Sequence, residues 1–363
     1  MIDSHETRGT YPTISHRVAA GYLRFLADCP SGAAQNEQES KTRQDLHGFF
    51  SAFYASLYQQ PDLFGLPLRP DDCIEEDQLH EKEKKQDVTA KMKAPKEQVT
   101  RGLDFLLAAG VDGHLDGDSL VLAEGSQAIK QSKIGRKFLQ GLETAGLTVA
   151  TADERVTLHN SRFPAMMPAL QVLANACARY PRHQETLFHF ARCDFRALQP
   201  GFCPQPMDFY RETAGADLPR LTVLHEFFTG LGYHTIYGVS EPFYWSVEYQ
   251  GDRKIKATPL LQVEYQERFR NPVRVFIKCV SSGRLAALLP HQSQALQDDF
   301  MRRDGPCQEC GWCHNNKTLG PVVVQYKGEE KTICWYSFAE VPNFDDRSVE
   351  LLQEYARMHA ELV

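Results

Sequence analysis

Apolar residues recur at helical spacing in two segments near the beginning of the chain. In residues 15–29 they form a stripe at Val18, Tyr22, Phe25 and Leu26. The second segment carries them at Leu46, Phe49, Phe50, Phe53, Tyr54 and Leu57. Their i, i+3, i+4 spacing predicts two helices that bury these faces. We therefore predict a helical N-terminal segment over residues 1–70, followed by a charged, linker-like segment over residues 71–96.

A repeat with an offset of 36 residues follows. Residues 103–111 align with residues 139–147, and the later apolar pairs align in the same way: Leu120 with Val156 and Leu122 with Leu158. Each unit, at roughly 101–122 and 137–158, is predicted to be a helix that ends at a glycine, Gly110 or Gly146, and then a two-stranded hairpin.

The order of helix and hairpin, with the cadence Leu-x-x-x-Gly-Leu and then Val-x-Leu, resembles the second half of a winged-helix domain of bacterial regulators. The segment Leu120-Val-Leu-Ala-Glu-Gly125 is similar to the wing-return segment of those regulators. This resemblance implies a fold only, because winged helices serve DNA binding, protein contacts and scaffolding. Residues 97–200 are therefore predicted to hold a tandem winged-helix-like repeat with additional helices.

Four basic residues lie close together at the start of the second repeat: Lys130, Lys133, Arg136 and Lys137. The simpler interpretation is an ordinary solvated helix face, since acidic residues lie nearby in the sequence. The alternative is a nucleic-acid surface, in which such side chains contact phosphates.

The residue pattern in the last part of the chain predicts an antiparallel sheet. Residues 201–217 are rich in proline and are interpreted as a linker. Strand-like segments then occupy residues 233–239, 244–250, 260–267 and 273–280, the last with clear alternation, and helical segments flank these strands. We predict an α+β domain over residues 218–363, and α+β as the fold class of this multidomain chain.

Aromatic residues are concentrated in the first strands of that domain. Among them, Tyr233, Tyr237, Tyr244 and Trp245 are candidates for a ligand pocket. An ordinary sheet core accounts for the same residues and is favoured. If the pocket belongs to an enzyme, the acid or base candidates are Glu248, Glu264 and His234.

A cysteine cluster is the strongest candidate for chemistry. Its residues are Cys307, Cys310, Cys313 and His314, with Cys334 on a later predicted strand. Two thiolates two residues apart can hold one tetrahedral metal ion. Gly311 follows the second cysteine and tolerates the tight turn of such a knuckle. The cluster resembles the knuckle of zinc ribbons and rubredoxin, with Gln308 where those often carry proline. We predict a structural zinc site, with Cys313 or His314 completing the ligand set.

An iron–sulfur cluster is the alternative cofactor. The spacing Cys-x-x-Cys-x-x-Cys is similar to the ferredoxin run. Here the fourth cysteine is not followed by proline, and a second run is missing from the sequence. A third interpretation is that these cysteines are reduced thiols that bind nothing. Disulfides are disfavoured, because this spacing in a cytosolic chain is typical of metal or redox sites.

Composition narrows the function classes. The chain has 363 residues and a formal net charge of −7, which argues against a protein that coats nucleic acid but permits a local basic patch. The sequence has no secretory signal pattern, and no apolar run approaches the ~20 residues of a membrane helix. We expect a cytoplasmic protein without membrane contact.

The leading functional hypothesis is a binding or regulatory protein with a structural zinc site, whose partner is an unidentified small ligand or a macromolecule. The alternatives are an enzyme that uses the aromatic pocket and an iron–sulfur redox protein. We find no phosphate-binding loop, dinucleotide fingerprint or nucleophile elbow in the sequence, which weakens the enzyme hypothesis.

Overall fold

The computed structural model describes residues 10–27, 29, 34–68, 74–75, 82–123, 125–152, 155–239, 244–251, 261–266, 273–279, 288–304, 322–333, 337–341 and 344–360. These residues form an α+β fold, as predicted. The chain divides into two compact units. The first comprises residues 1–203 with 239–244 and 267–270, and the second comprises the remaining residues from 204 onwards.

The first unit contains most of the helices. They are α1 (Ile14–Ala27), α2 (Glu37–Gln59), α3 (Lys82–Asp112), α4 (Gly125–Ser132), α5 (Arg136–Leu142), α6 (Met166–Cys177) and α7 (His183–Ala191). Its strands are β1 (Thr10–Tyr11), β2 (Ile74–Glu75), β3 (His114–Asp116), β4 (Ser119–Leu122), β5 (Leu147–Ala152) and β6 (Arg155–Asn160). Among the helices of the described residues, none is long and apolar enough to cross a membrane.

The two predicted N-terminal helices exist as α1 and α2, and their apolar faces are buried. Val18 on α1 and Phe53 on α2 are both fully shielded from solvent. These faces join one hydrophobic core that also contains residues of α3, α5 and α6. Helix α3 begins at Lys82, within the charged 71–96 segment, and continues into the first repeat. The N-terminal helices and the repeat region therefore share a core.

The two hairpins of the repeat form one antiparallel sheet in the order β3-β4-β6-β5. Within the first hairpin Leu115 pairs with Leu120, and within the second Thr151 pairs with Val156. The second pair is the first pair moved by 36 positions, so the two hairpins have the same register. The sequence repeat is therefore also a structural repeat.

The two glycines of the repeat differ in their roles. Gly146 ends its helical segment with φ +85°, the left-handed conformation of a glycine cap. The prediction of a cap at Gly110 was wrong, because α3 continues to Asp112. A Cβ built on Gly110 would lie 2.5 Å from the Ala174 Cβ and 2.9 Å from the Leu170 carbonyl oxygen. Gly110 therefore permits close contact between α3 and α6.

The second unit contains a five-stranded sheet and four helices among its described residues. The helices are α8 (Pro206–Thr213), α9 (Leu218–Gly230), α10 (Gln294–Asp304) and α11 (Asp346–Ala360). The strands are β7 (His234–Val239), β8 (Tyr244–Gln250), β9 (Leu261–Gln266), β10 (Val273–Cys279), β11 (Val322–Tyr326), β12 (Glu329–Ile333) and β13 (Ser337–Glu340). The sheet order is β13-β10-β9-β8-β7, and β11 and β12 form a separate hairpin. Helix α8 occupies part of the predicted 201–217 linker.

Candidate functional site

The four basic residues of the second repeat surround a turn between two short helices. Helix α4 ends at Ser132 and α5 begins at Arg136, so three residues join them. Lys133 in this turn has φ +54°, a left-handed conformation that reverses the chain tightly. Ile134 is buried and anchors the turn in the core of the first unit. A turn of this length that contains a glycine, here Gly135, is one feature of helix-turn-helix motifs.

The basic side chains all face solvent at this turn. Lys130, Lys133, Arg136 and Lys137 are exposed. Within the part of the chain that the structure describes, no carboxylate lies within ion-pair distance of any of the four. Burial of Ala128 and Phe138 on the opposite sides of α4 and α5 fixes this orientation. The turn therefore presents a local positive surface, called here the basic turn.

The first copy of the repeat has no equivalent surface. Moving the four positions back by 36 gives Ala94, Glu97, Thr100 and Arg101. Only one of these is basic, and Arg101 lies 3.7 Å from the Glu97 carboxylate. The basic turn is therefore a specific feature of the second copy and not a remnant of the shared repeat.

The predicted aromatic pocket residues are distributed through the second unit's sheet. The Trp245 ring, 1% exposed, lies between Phe209 at 5.1 Å and Tyr265 at 5.9 Å, centroid to centroid. Tyr233 is buried edge-on against Phe228, whereas Tyr237 and Tyr244 are half-buried. Trp245 and Tyr233 are therefore core residues.

The predicted acid and base residues do not converge on Trp245. Alternation along β8 puts Trp245 and Glu248 on opposite faces of the strand. Tyr265 stacks on Trp245, so the neighbouring Glu264 also faces away from that ring. His234 is exposed. Glu248 and Glu264 therefore do not face the Trp245 ring, and the enzyme hypothesis stays a prediction from the sequence.

The metal-ligand prediction lies outside the described residues. Cys307, Cys310, Cys313, His314 and Cys334 all belong to segments that the structure does not describe. Among the residues that it does describe, no group of three or more histidine, cysteine, aspartate or glutamate side chains could hold a metal ion. The zinc site stays a prediction from the sequence.

Sequence reasoning missed a large cavity in the first unit. Its volume is about 1130 Å³, and one wall is a face of α2 that includes Arg43, His47 and Ser51. The other walls include Arg162 and Arg192. These arginines are far apart in the sequence and follow no motif, so only the tertiary fold could reveal them.

A buried polar network lies beside this cavity, in the loop after α7. Arg192 and Cys193 line the cavity, and the next residue, Asp194, is fully buried. The Asp194 carboxylate accepts hydrogen bonds from His189 Nδ1 at 2.9 Å and from Arg196 Nε and Nη2, each at 2.8 Å. Cys193 has φ +53°, a strained conformation for a residue with a side chain.

The network fixes the charge of Asp194. Burial by itself raises the pKa of Asp194, but the hydrogen bonds from Arg196 and His189 and the nearby charge of Arg192 outweigh it and lower the pKa well below its ordinary value. Asp194 is therefore ionised at neutral pH. The His189 ring also stacks on Tyr180, with ring centroids 4.5 Å apart. These contacts hold the loop that carries Arg192 in one conformation.

Comparison of the chain with models of protein families, with curated proteins and with solved structures found no match. Functional inference therefore depends on the basic turn, the cavity and the cysteine cluster.

Proposed function

We propose that this chain is a regulatory protein that binds duplex DNA through its basic turn. The observation that carries the proposal is the group of four exposed, unpaired cations around the turn between α4 and α5, within the described residues. In helix-turn-helix proteins the second helix enters the major groove and its N-terminal residues contact base edges. Arg136 and Lys137 lie at the start of α5, and we propose that they contact, together with Lys133, the phosphates beside the groove.

The elements around the basic turn support the same proposal. Helix α5 is followed by the antiparallel hairpin of β5 and β6, and β6 pairs on its other side with β4. This order is compatible with the winged-helix resemblance of the sequence. In such an arrangement the hairpin tip between Ala152 and Arg155 lies beside the DNA, and Arg155 is exposed there.

The acidic net charge limits what kind of DNA binding is proposed. A chain with a formal net charge of −7 repels a polyanion at long range, so nonspecific affinity is weak. Four to five local cations can neutralise only a few phosphates. We therefore propose a protein that recognises defined sites and not one that coats DNA.

The proposal includes a structural zinc ion and a cytoplasmic location. The spacing of Cys307 and Cys310 supports zinc, and a sulfur-rich set is able to close a tetrahedral shell. We propose that the ion stabilises the second unit and takes no part in DNA contact.

The test compares two variants with equal changes of charge. In the first, Lys133, Arg136 and Lys137 are each replaced by glutamate. In the control, the exposed residues Lys41, Arg179 and Arg211 are replaced by glutamate. A labelled 24-base-pair duplex is first selected from a random pool by repeated rounds of binding to the unmodified protein, and fluorescence anisotropy at low salt then measures the affinity of each variant for it. The first variant is expected to lose roughly tenfold or more in affinity and the control far less.

Equal losses in the two variants would mean that only net charge matters and would contradict the proposed surface. Absence of binding by the unmodified protein to every duplex in the pool would contradict DNA binding altogether. Circular dichroism of each variant shows whether the fold is retained.

A further inference from the structure

The polar face of α2 is the starting point for a second site. The opposite face of this helix carries Phe49, Phe53 and Leu57 into the core. The cavity face has a stripe at intervals of four residues: Arg43, His47, Ser51 and Ala55. A helix that buries one face and lines a large open cavity with the other leaves room for a small molecule. Pockets of small-molecule sites typically measure 300–1,000 Å³, and this cavity is slightly larger.

The charges in the cavity walls have one sign. Arg43, Arg162 and Arg192 line it, and no carboxylate side chain does so among the described residues. Arg43 is held by Glu39 outside the cavity. No described carboxylate lies within ion-pair distance of Arg162. Partial desolvation by the surrounding residues lowers the pKa of His47 below its ordinary value.

Each of the three guanidinium groups lies over an aromatic ring. The Arg43 guanidinium lies 4.8 Å from the centre of the Phe195 ring, and that of Arg162 lies 5.2 Å from the Phe163 ring. Arg192 lies over Phe25 at 4.8 Å and is only 2% exposed. The N–H groups of a guanidinium lie in its own plane, so a guanidinium held over a ring can still direct them at a second partner. This geometry suits bidentate contact with a phosphate or a carboxylate.

Apolar side chains form one part of the cavity wall. They include Leu26, Ala52, Ala55 and Phe163. Inorganic phosphate alone would leave this part of the space without contacts. An aromatic or aliphatic body attached to the anionic group would fill it.

We infer that the cavity of the first unit binds a small organic anion. Its phosphate or carboxylate group contacts Arg162 and Arg192, and its apolar body contacts the α2 face at Ala52 and Ala55. The buried Asp194 network positions Arg192 for this contact. The site is separate from the basic turn, so it does not depend on the proposed DNA binding.

Isothermal titration calorimetry with three matched probes tests the inference. The probes are 1-naphthyl phosphate, 1-naphthoate and the neutral 1-naphthol. At least one anionic probe is expected to bind with Kd on the order of 100 µM or tighter, and 1-naphthol at least roughly tenfold more weakly. The difference between the two anions identifies the preferred anionic group.

Variants locate the binding in the cavity. Arg162→Gln is expected to weaken the affinity for the anionic probe by roughly tenfold, and Arg162→Lys is expected to recover part of that affinity. Ala55→Trp fills the space and is expected to abolish binding. Arg179→Gln removes an exposed arginine outside the cavity and is expected to leave the affinity for the anionic probe unchanged. The triple glutamate variant of the basic turn is expected to leave this affinity unchanged as well. Thermal unfolding checks that each variant is folded.

Three outcomes would overturn the inference. They are equal affinity for 1-naphthol and the anionic probes, no binding of either anion to the unmodified protein, and unchanged affinity in Arg162→Gln. If Ala55→Trp does not fold, Ser51→Phe serves as the blocking variant, and retained binding in it would also overturn the inference.

Discussion

The ring of Phe138 lies against the backbone of Gly102, the residue that occupies the equivalent position 36 residues earlier. A Cβ built on Gly102 would be 2.1 Å from Phe138 Cε1. The same relationship appears in the sheet, where Val121 pairs directly with Thr157, again 36 residues apart. Contact between equivalent positions in two places is typical of two copies related by a local two-fold axis. The first copy has no side chain at Gly102, and the Phe138 ring of the second copy occupies that space.

This contact predicts the effect of a side chain at Gly102. Gly102→Ala is expected to lower the free energy of unfolding by about 1–3 kcal/mol, because the new methyl group overlaps Phe138. Adding Phe138→Leu is expected to recover part of that loss. Gly135→Ala is the control, since its Cβ would lie 3.8 Å from the nearest atom, Gln98 Nε2. Urea unfolding measures all three, and a Gly102→Ala variant as stable as the parent would contradict this contact.

The buried network predicts a pH dependence. The pKa of Asp194 is lower in the folded chain than the value of about 3.9 expected in the unfolded chain. The ionised Asp194 carboxylate therefore stabilises the fold above roughly pH 4, and this stabilisation is lost as the pH falls towards the folded pKa. Asp194→Asn leaves buried cationic partners, and a loss of about 3–5 kcal/mol is expected at pH 7.

The difference in unfolding free energy between the parent and Asp194→Asn should shrink between pH 5 and pH 2. The exposed residue Asp112 provides the control, since Asp112→Asn is expected to change stability by less than about 0.5 kcal/mol at any pH. A constant difference for Asp194→Asn across this range would show that its charge is not what stabilises the fold.

The cysteine cluster predicts a bound ion. Elemental analysis of the purified protein is expected to find zinc, and Cys307→Ser or Cys334→Ser is expected to lower both the zinc content and Tm, because the metal's binding energy contributes to folding. Cys203→Ser, outside the cluster, should change neither. A brown protein that contains iron would favour the iron–sulfur alternative, and a protein without any metal would contradict both.

The sequence predicted the strands of the second unit well. The predicted ranges 244–250 and 260–267 correspond to Tyr244–Gln250 and Leu261–Gln266 in the structure. A run of strand-forming residues is a local property, so it can be read without knowledge of the fold. The same holds for the hairpins of the repeat, whose tips contain turn formers such as Gly117 at φ +57°.

The features that the sequence did not predict depend on distant residues. Gly110 was interpreted as a cap from its local sequence. Its actual contacts are with Leu170 and Ala174 on α6, about 60 residues away, and the local sequence does not show them. The division of the basic segment into α4 and α5 depends on the left-handed Lys133, a conformation that lysine rarely adopts. The cavity combines arginines at positions 43, 162 and 192, which no local pattern connects.

The salt dependence of DNA binding tests the central claim most directly. Anisotropy titrations from 50 to 300 mM salt give the slope of log Kobs against log salt for the parent and for a variant with Lys133, Arg136 and Lys137 replaced by glutamine. Each lost phosphate contact is expected to make the slope less negative by roughly 0.9. Three contacts at the basic turn therefore predict a change of roughly 2–3. A variant with the parent's slope would contradict the assignment of this surface.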